Sequence, residues 1–324
     1  MISNLGAKVK KSYKYIIISL ILFALPIFLH PYLVHVLTMF LLFACISTAW
    51  IIISGFANQL SFGHSAFFGL GAYVSTLLFL NFHLSPWIGM FVGGFLAVGL
   101  SLVVGFSCFK TGVKGFYFIL VTMALAEALT LLFTGLREIT GGSLGVFIPY
   151  LGESPANFQF ASKINFYWVI LIFWVLTIYL AWRIQNSKFG YYLLAIREDE
   201  EAAKALGINV NRYKILAFLI SAFITALAGT FYAQYFLYID PGGVLGLPLS
   251  YKIALMATIG GRLSFLGPTL GSAILVPISE FLRIQLGGTY AGLDLLIYGA
   301  LIIVVIRFMP MGIAFHAKKL LTKK

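Results

Sequence analysis

An all-α membrane protein that crosses the bilayer many times is the fold class the sequence predicts, and three observations predict it. Apolar residues make up 61% of the chain and charged residues only 10%, with a mean hydropathy of +0.99, whereas a soluble domain needs about a quarter of its residues charged. The apolar residues gather in runs close to the roughly 20 residues that one helical crossing takes. The cations behind the net charge of +12 sit beside those runs, as the positive-inside rule expects, and form no basic nucleic-acid-binding domain.

The 324 residues accommodate about ten crossings in one transmembrane domain, 1–324, if loops are short. The first, over 15–29, carries Pro26 near its outer end and follows Lys8, Lys10, Lys11 and Lys14. It imitates a signal peptide, but no small-residue cleavage pattern follows and Pro31 opens the next apolar run, so it is expected to stay in place. The second crossing, 33–54, leads into GFANQLSFGHSAFFGLGAY, which puts Asn58, Gln59, Ser61, His64 and Ser65 before and inside the third. Polar and small residues mixed in this way predict close helix packing or a broken helix lining a cavity.

The third helix reaches about residue 80, and the fourth, 86–109, contains Gly93, Gly94, Gly99 and Gly105, which allow close helix approach. Lys110 and Lys114 bracket an inner turn before the fifth helix, 115–133, with Glu127 near its midpoint. A cation-poor loop, 135–165, is placed outside, and its 139–145 run, ITGGSLG, reads as flexible backbone with several free amides. Helix 166–182, a charge-dense loop over 184–212 and helix 213–237 follow. The remainder divides into crossings at 250–259, 265–282 and 293–307, turning at Gly260-Gly261-Arg262, so that the lysine-rich tail ends inside with the N-terminus. The first of these is short, and a re-entrant pair with eight full spans is the alternative. Leu60-Ser61-Phe62 and Leu263-Ser264-Phe265 form a three-residue internal echo.

The charge-dense loop is the one stretch patterned to meet water. It reads R-E-D-E-E-A-A-K from Arg197 to Lys204, with Ile196, Ala203 and Leu206 on one face of a short amphipathic helix. Glu200 and Lys204 are four apart in the favourable order, Gly207 supplies a stop, and Asn209 or Asn211 caps the helix that follows. The plainer reading is a solvated cytoplasmic loop.

No catalytic constellation appears. The chain has no Gly-Lys dipeptide, so a phosphate-cradling P-loop is absent, and its five histidines show neither an H-E-x-x-H pairing nor cysteine neighbours. No enzyme activity, metal or cofactor is expected. Cys45 and Cys108 lie in apolar runs and read as packing residues. Glu127 is either a group lining or gating a pathway or a hydrogen-bonded helix lock, and His64 has the same two readings. Lys252, Glu280 and Asp294 fall near helix ends, where long side chains reach water.

The run Glu201-Ala202-Ala203, then Gly207, resembles the EAA loop by which ABC importer permeases dock on their ATPase. Ile196-Arg197-Glu198-Asp199 and Ala205-Leu206-Gly207-Ile208-Asn209 are similar to the same loop of the LivM-type permeases that import branched-chain amino acids. GFANQLSFGHSAFFGLGAY, KGFYFILVTMALAEAL, TGGSLG and MATIGGRLSFLGPTLGSAI extend the likeness over most of the chain after Gly55. The resemblance implies an ABC importer permease fold in a bacterial inner membrane, with ATPase coupling through Arg197, Glu198, Asp199, Glu201, Ala202, Ala203 and Gly207. Gln59, Ser61, His64 and Glu127 are the candidate pathway residues. Implied partners are a cytoplasmic ATPase, a second, LivH-like permease, a periplasmic or lipid-anchored binding protein and the surrounding lipid. The implied solutes are leucine, isoleucine and valine, with urea or short amides, or an ion-coupled carrier, as alternatives. The chain departs from the pattern at Leu144, where an acidic or amide residue is frequent. It departs again at Leu216-Ala217-Phe218, where the wider EAA consensus has Leu-Pro.

Overall fold

The alternation of apolar runs and polar joints becomes a bundle of helices running up and down between two ends. The computed structural model describes residues 25–286 together with 299 and 300. Apart from residues 25–29 and 299–300, the expected crossings at 15–29 and 293–307, together with both lysine-rich termini and Asp294, lie outside the described residues.

Helix α1 (Pro31–Ser54) starts with proline in its first turn, where a missing N–H costs nothing. Helices α2 (His64–Phe82), α3 (Pro86–Lys110) and α4 (Phe116–Gly135) follow. A short α5 (Arg137–Thr140) and strand β1 (Val146–Phe147) belong to the long loop before α6 (Lys163–Gln185). Then come α7 (Lys188–Glu198), α8 (Glu200–Ala205) and α9 (Val210–Phe236). Strand β2 (Tyr238–Ile239), α10 (Pro241–Leu245), α11 (Leu247–Gly260) and α12 (Gly267–Leu286) complete the described part. Among the described residues seven helical stretches are long and apolar enough to span a membrane, with α10 and α11 counted as one.

The two ends differ in chemistry. At one, the ladder end, β1 pairs antiparallel with β2, Val146 opposite Ile239, and the indole of Trp87 donates to the Pro155 carbonyl at 2.8 Å. At the other, the loop end, the joints at 55–63, 111–115, 186–209 and 261–266 meet. The Gln185 amide donates to Leu263 O at 3.1 Å and the Arg197 guanidinium to Gly55 O at 3.4 Å. Lys110, Lys114, Arg183, Lys188, Arg197, Lys204, Arg212, Lys214 and Arg262 lie on joints or helix ends there, whereas Arg137 and Lys163 flank the ladder-end loop. Both echo runs, 60–62 and 263–265, fall in loop-end joints between paired helices.

Helix α1 is the centre of the bundle, buried nearly throughout its length, while α4 and α6 present broad apolar faces outward. Packing between α2 and α9 is backbone to backbone. A Cβ on Gly71 would stand 1.9 Å from Ala226 O, one on Gly229 would stand 1.9 Å from Phe68 O, and the Thr230 hydroxyl donates to Gly71 O at 2.9 Å. The pair α11 and α12 repeats the device, with Gly271 against Met256 O at 1.9 Å.

Two expectations change. The ITGGSLG run is a closed turn rather than free backbone. The buried Thr140 hydroxyl donates to Leu136 O at 2.8 Å, Gly142 N donates back to it, and Gly141 takes a φ of +70°. Glu280 does not reach water from a helix end: it is buried, with an oxygen 3.6 Å from His35 Nε2, and His35 Nδ1 bonds the Tyr235 hydroxyl at 2.7 Å. Both cysteines are free and buried.

Replacing Gly71 by valine is expected to destabilise the protein by roughly 3 kcal/mol or more, because a backbone carbonyl has no room to yield. A Cβ on Gly99 would meet nothing within 4 Å, so Gly99→Ala should shift stability by under about 1 kcal/mol. Thermal unfolding of the two variants in one detergent checks the contrast.

Candidate functional site: a protruding helix braced against the bundle

The site is built from one residue that breaks the helix predicted across Arg197 to Lys204. Asp199 adopts an extended backbone, and its carboxylate accepts from the amides of Glu201 and Ala202 at 2.9 and 3.0 Å. It thereby ends α7 and caps α8, since a side-chain oxygen satisfies amides that lack intrahelical partners. Two short helices at an angle replace one continuous one. Gly207 closes α8 with a φ of +81°, a backbone that favours glycine. Asn209 then caps α9 by accepting from Arg212 N at 3.1 Å.

The break decides which side chains face out. Ala203 is buried with Ile196 and Val210 in a small cluster completed by Ile208 and Tyr213. Leu206, expected on that same face, is instead 81% exposed, because the chain turns at the end of α8. Glu198, Asp199, Glu201, Ala202, Lys204 and Gly207 are exposed as well, and Arg197 is half-buried. The helix is a peg, fastened through Ala203 and offering the opposite side to whatever approaches.

Charge pairing also differs from the expected Glu200–Lys204 couple. Lys204 pairs with Glu201 at 2.9 Å, which holds the Glu201 carboxyl below and the Lys204 ammonium above their ordinary ranges. Glu200 turns inward, where one carboxylate oxygen takes the Lys214 ammonium and the Gln59 amide, the latter at 3.2 Å. Lys214 is only 3% exposed and Glu200 18%, so this pair works in a poorly solvated setting. Arg197 is pulled below its usual range, first by burial and then by the nearby Arg262. Sequence reasoning missed Glu200 and Lys214 as partners, because the many residues between them hide the contact.

The four candidate pathway residues do not converge. Gln59, Ser61 and His64 are buried in the joint between α1 and α2. The indole of Trp50 donates to Ser61 O at 2.7 Å, and Ser61 N donates to the Ser54 hydroxyl at 3.2 Å. The Ser221 hydroxyl donates its one hydrogen to Ala49 O, so the 2.7 Å contact from His64 Nε2 to that oxygen requires the ring to carry its proton on Nε2. His64 therefore ties α2 to α9 and, through Ser221, to α1. Glu127 is separate: it is exposed at mid-helix on α4, beside exposed Ala124, Ala128 and Leu131, while Thr122 and Ala126 turn inward.

These features define the class as a polytopic, all-α membrane protein with one water-facing helical peg at a cation-rich end. The family model described as branched-chain amino acid transport system / permease component matches residues 32–306, and the chain belongs to that family. It is 24% identical over 330 residues to the high-affinity branched-chain amino acid transport system permease protein LivM of Escherichia coli K12, covering 95% of this chain and 76% of that protein. To the LivH permease protein of Salmonella typhimurium it is 25% identical over 287 residues, 84% of this chain and 90% of that one. Among solved structures it is similar to PsaBC from Streptococcus pneumoniae in complex with Fab, over 90% of this chain and 96% of that chain, with a TM-score of 0.46 and 16% identity.

Removing one member of the inward pair strands the other. Lys214→Met is expected to cost about 3 kcal/mol, the low end for a broken buried pair because Glu200 keeps some solvent. The double change Lys214→Met with Glu200→Leu should recover part of that loss. Unfolding of the single and double variants, read as a mutant cycle, tests the coupling.

Proposed function

We propose that this chain is the membrane-spanning permease subunit of an ABC importer that moves leucine, isoleucine and valine inward, driven by a separate cytoplasmic ATPase. The observation that carries the reading is the α8 peg: a six-residue helix, anchored by buried Ala203 and exposing Glu201, Ala202 and Leu206 at the cation-rich end. With Ala203 holding its inner side, the helix leaves Glu201, Ala202 and Leu206 together on the side that an approaching subunit would meet. Arg197, Glu198, Asp199, Glu201, Ala202, Ala203 and Gly207 form the coupling element within 184–212, with 135–165 as the external loop of a single domain. The branched-chain solutes rest on the family and on the names of its relatives.

Cations gathered at the loop end support a cytoplasmic position for that end, in a bacterial inner membrane and with both termini inside. Glu127 supports a second, homologous permease of the LivH kind. A carboxyl facing lipid at mid-bilayer costs about 2.5 to 3.5 kcal/mol even on the mildest scale, so the α4 face is better covered by a partner subunit with a wet pathway between. A periplasmic or lipid-anchored binding protein delivers solute to the ladder end. ATP-driven closure of the ATPase shifts the balance between outward- and inward-open pores.

Leu206→Asp and Glu201→Arg are expected to weaken ATPase co-purification and ATP-dependent uptake of labelled leucine at least about tenfold, as loss of an interface anchor does. Their thermal stability should stay within about 0.5 kcal/mol of the parent, as for ordinary surface changes. Unchanged association and uptake in both variants, or uptake of urea in place of leucine, would overturn the corresponding half of the reading. Glu127→Leu should insert normally and lose uptake, measured in the same vesicles, whereas retained uptake would remove Glu127 from the pathway.

A further inference from the structure

Helix α3 keeps one whole side uncovered. Phe91, Phe95, Leu102, Val103 and Phe106 are all exposed along it, whereas Gly93, Gly94 and Ala97 turn inward, Gly94 against the Phe223 ring of α9. Toward the loop end this apolar stripe stops at Lys110, the last residue of the helix. The Lys110 ammonium does not reach away from the stripe. It lies 5.0 Å from the centre of the Phe106 ring, one turn back along α3, so a cation is held at the edge of an apolar face, where a bilayer carries its headgroups.

Beside Lys110 a cavity of about 220 Å³ opens between the α3–α4 turn, the α8 peg and the root of α9. That is the volume of about seven liquid waters, which admits a phosphate and a small alcohol but no acyl chain. Lys110, Lys114, Lys204 and Lys214 line it together with Glu200 and Glu201. Lys204 is matched by Glu201 and Lys214 by Glu200. Lys110 and Lys114 form no ion pair among the described residues, so the cavity holds two cations in excess. The Glu201 carboxyl is held low first by its bond to Lys204 and further by Lys114, which puts the exposed Lys114 ammonium close to the same wall.

We propose that this cavity seats the phosphate headgroup of an anionic phospholipid, with Lys110 and Lys114 on the phosphate and the acyl chains along the uncovered side of α3. Charge complementarity selects the occupant. A second permease would bring loop-end cations of its own under the same positive-inside rule and set like charges together. A zwitterionic lipid brings an ammonium with its phosphate, whereas an anionic lipid leaves the phosphate charge for the two lysines. The bound phosphate bridges the α3–α4 turn and the flank of the peg, which links the α8 helix to the lipid surface. The proposal rests on the loop end lying at one face of a bilayer and goes beyond the import reading, since neither solute nor ATPase enters it.

The test is lipid titration of the full-length chain, with its co-purifying subunits, in detergent micelles, with bound lipid counted by native mass spectrometry. Dioleoylphosphatidylglycerol should bind at least about tenfold more tightly than dioleoylphosphatidylcholine, and sn-glycerol 1-phosphate at the same concentration should not displace it. Lys110→Gln combined with Lys114→Gln should weaken phosphatidylglycerol binding at least about tenfold. Arg183→Gln combined with Lys188→Gln, which removes two loop-end cations that do not line the cavity, should leave it intact. Equal binding of the two lipids, or a Lys110 and Lys114 pair of variants that binds as the parent does, overturns the site. Displacement by sn-glycerol 1-phosphate would make it a site for soluble phosphate esters and overturns the lipid assignment. An equal loss in the Arg183 and Lys188 variant reduces the effect to net charge and overturns it too. The lipid comparison and the displacement use the unaltered chain, so they decide the matter even where a variant fails to fold.

Discussion

Where Gly71 meets Ala226 and Gly229 meets Phe68, helices α2 and α9 touch through their backbones, and the rest of the bundle is arranged around that contact. Lipid tails are as apolar as leucine, so helices inside a bilayer gain nothing from hiding apolar side chains against one another. What remains is dispersion over closely fitted surfaces, together with hydrogen bonds that have no water to compete with them. The Thr230 bond to Gly71 O and the His64–Ser221–Ala49 chain occupy the space that the glycines open. The first fastens α2 to α9 directly, the second adds α1 to the pair, and α1 is thereby trapped at the centre.

The same rigid contact gives the α8 peg something to act upon. Glu200 at the start of the peg touches both Lys214 at the root of α9 and Gln59 in the α1–α2 joint. Arg197 reaches Gly55 O at the end of α1. Direct polar contacts therefore join α8 to the α1–α2 joint and to α9, and α7 to the end of α1. In the proposed import cycle those contacts are the path by which ATPase movement becomes helix movement.

The ladder end is built on the opposite plan. There the backbone pairs as β1 with β2, Thr140 closes a glycine turn, and α10 dips into the bundle before α11 begins. Irregular backbone is tolerated at that depth because Val244 and Leu245 are enclosed by protein rather than lipid. One end of the molecule is thus tied by charge pairs, and at the other the helical backbone is interrupted.

Among the described residues, the helical runs, the polar α1–α2 joint, the Asn209 cap and the peg region are legible in the sequence, because apolar run length and capping residues act over a few neighbours. The direction of Leu206, the partners of Glu200 and Lys204 and the burial of Glu280 were not. Each depends on how the chain packs: Lys214 and Gln59 for Glu200, His35 and Tyr235 for the surroundings of Glu280. Asp199 shows the division within one residue: the sequence reads it inside a single helix, and the structure makes it the end of α7 and the cap of α8, with Ala203 packed beyond it. Local composition specified which segments enter the bilayer; the tertiary fold decided which of their faces remain uncovered, because coverage is set by neighbours that sequence order does not name.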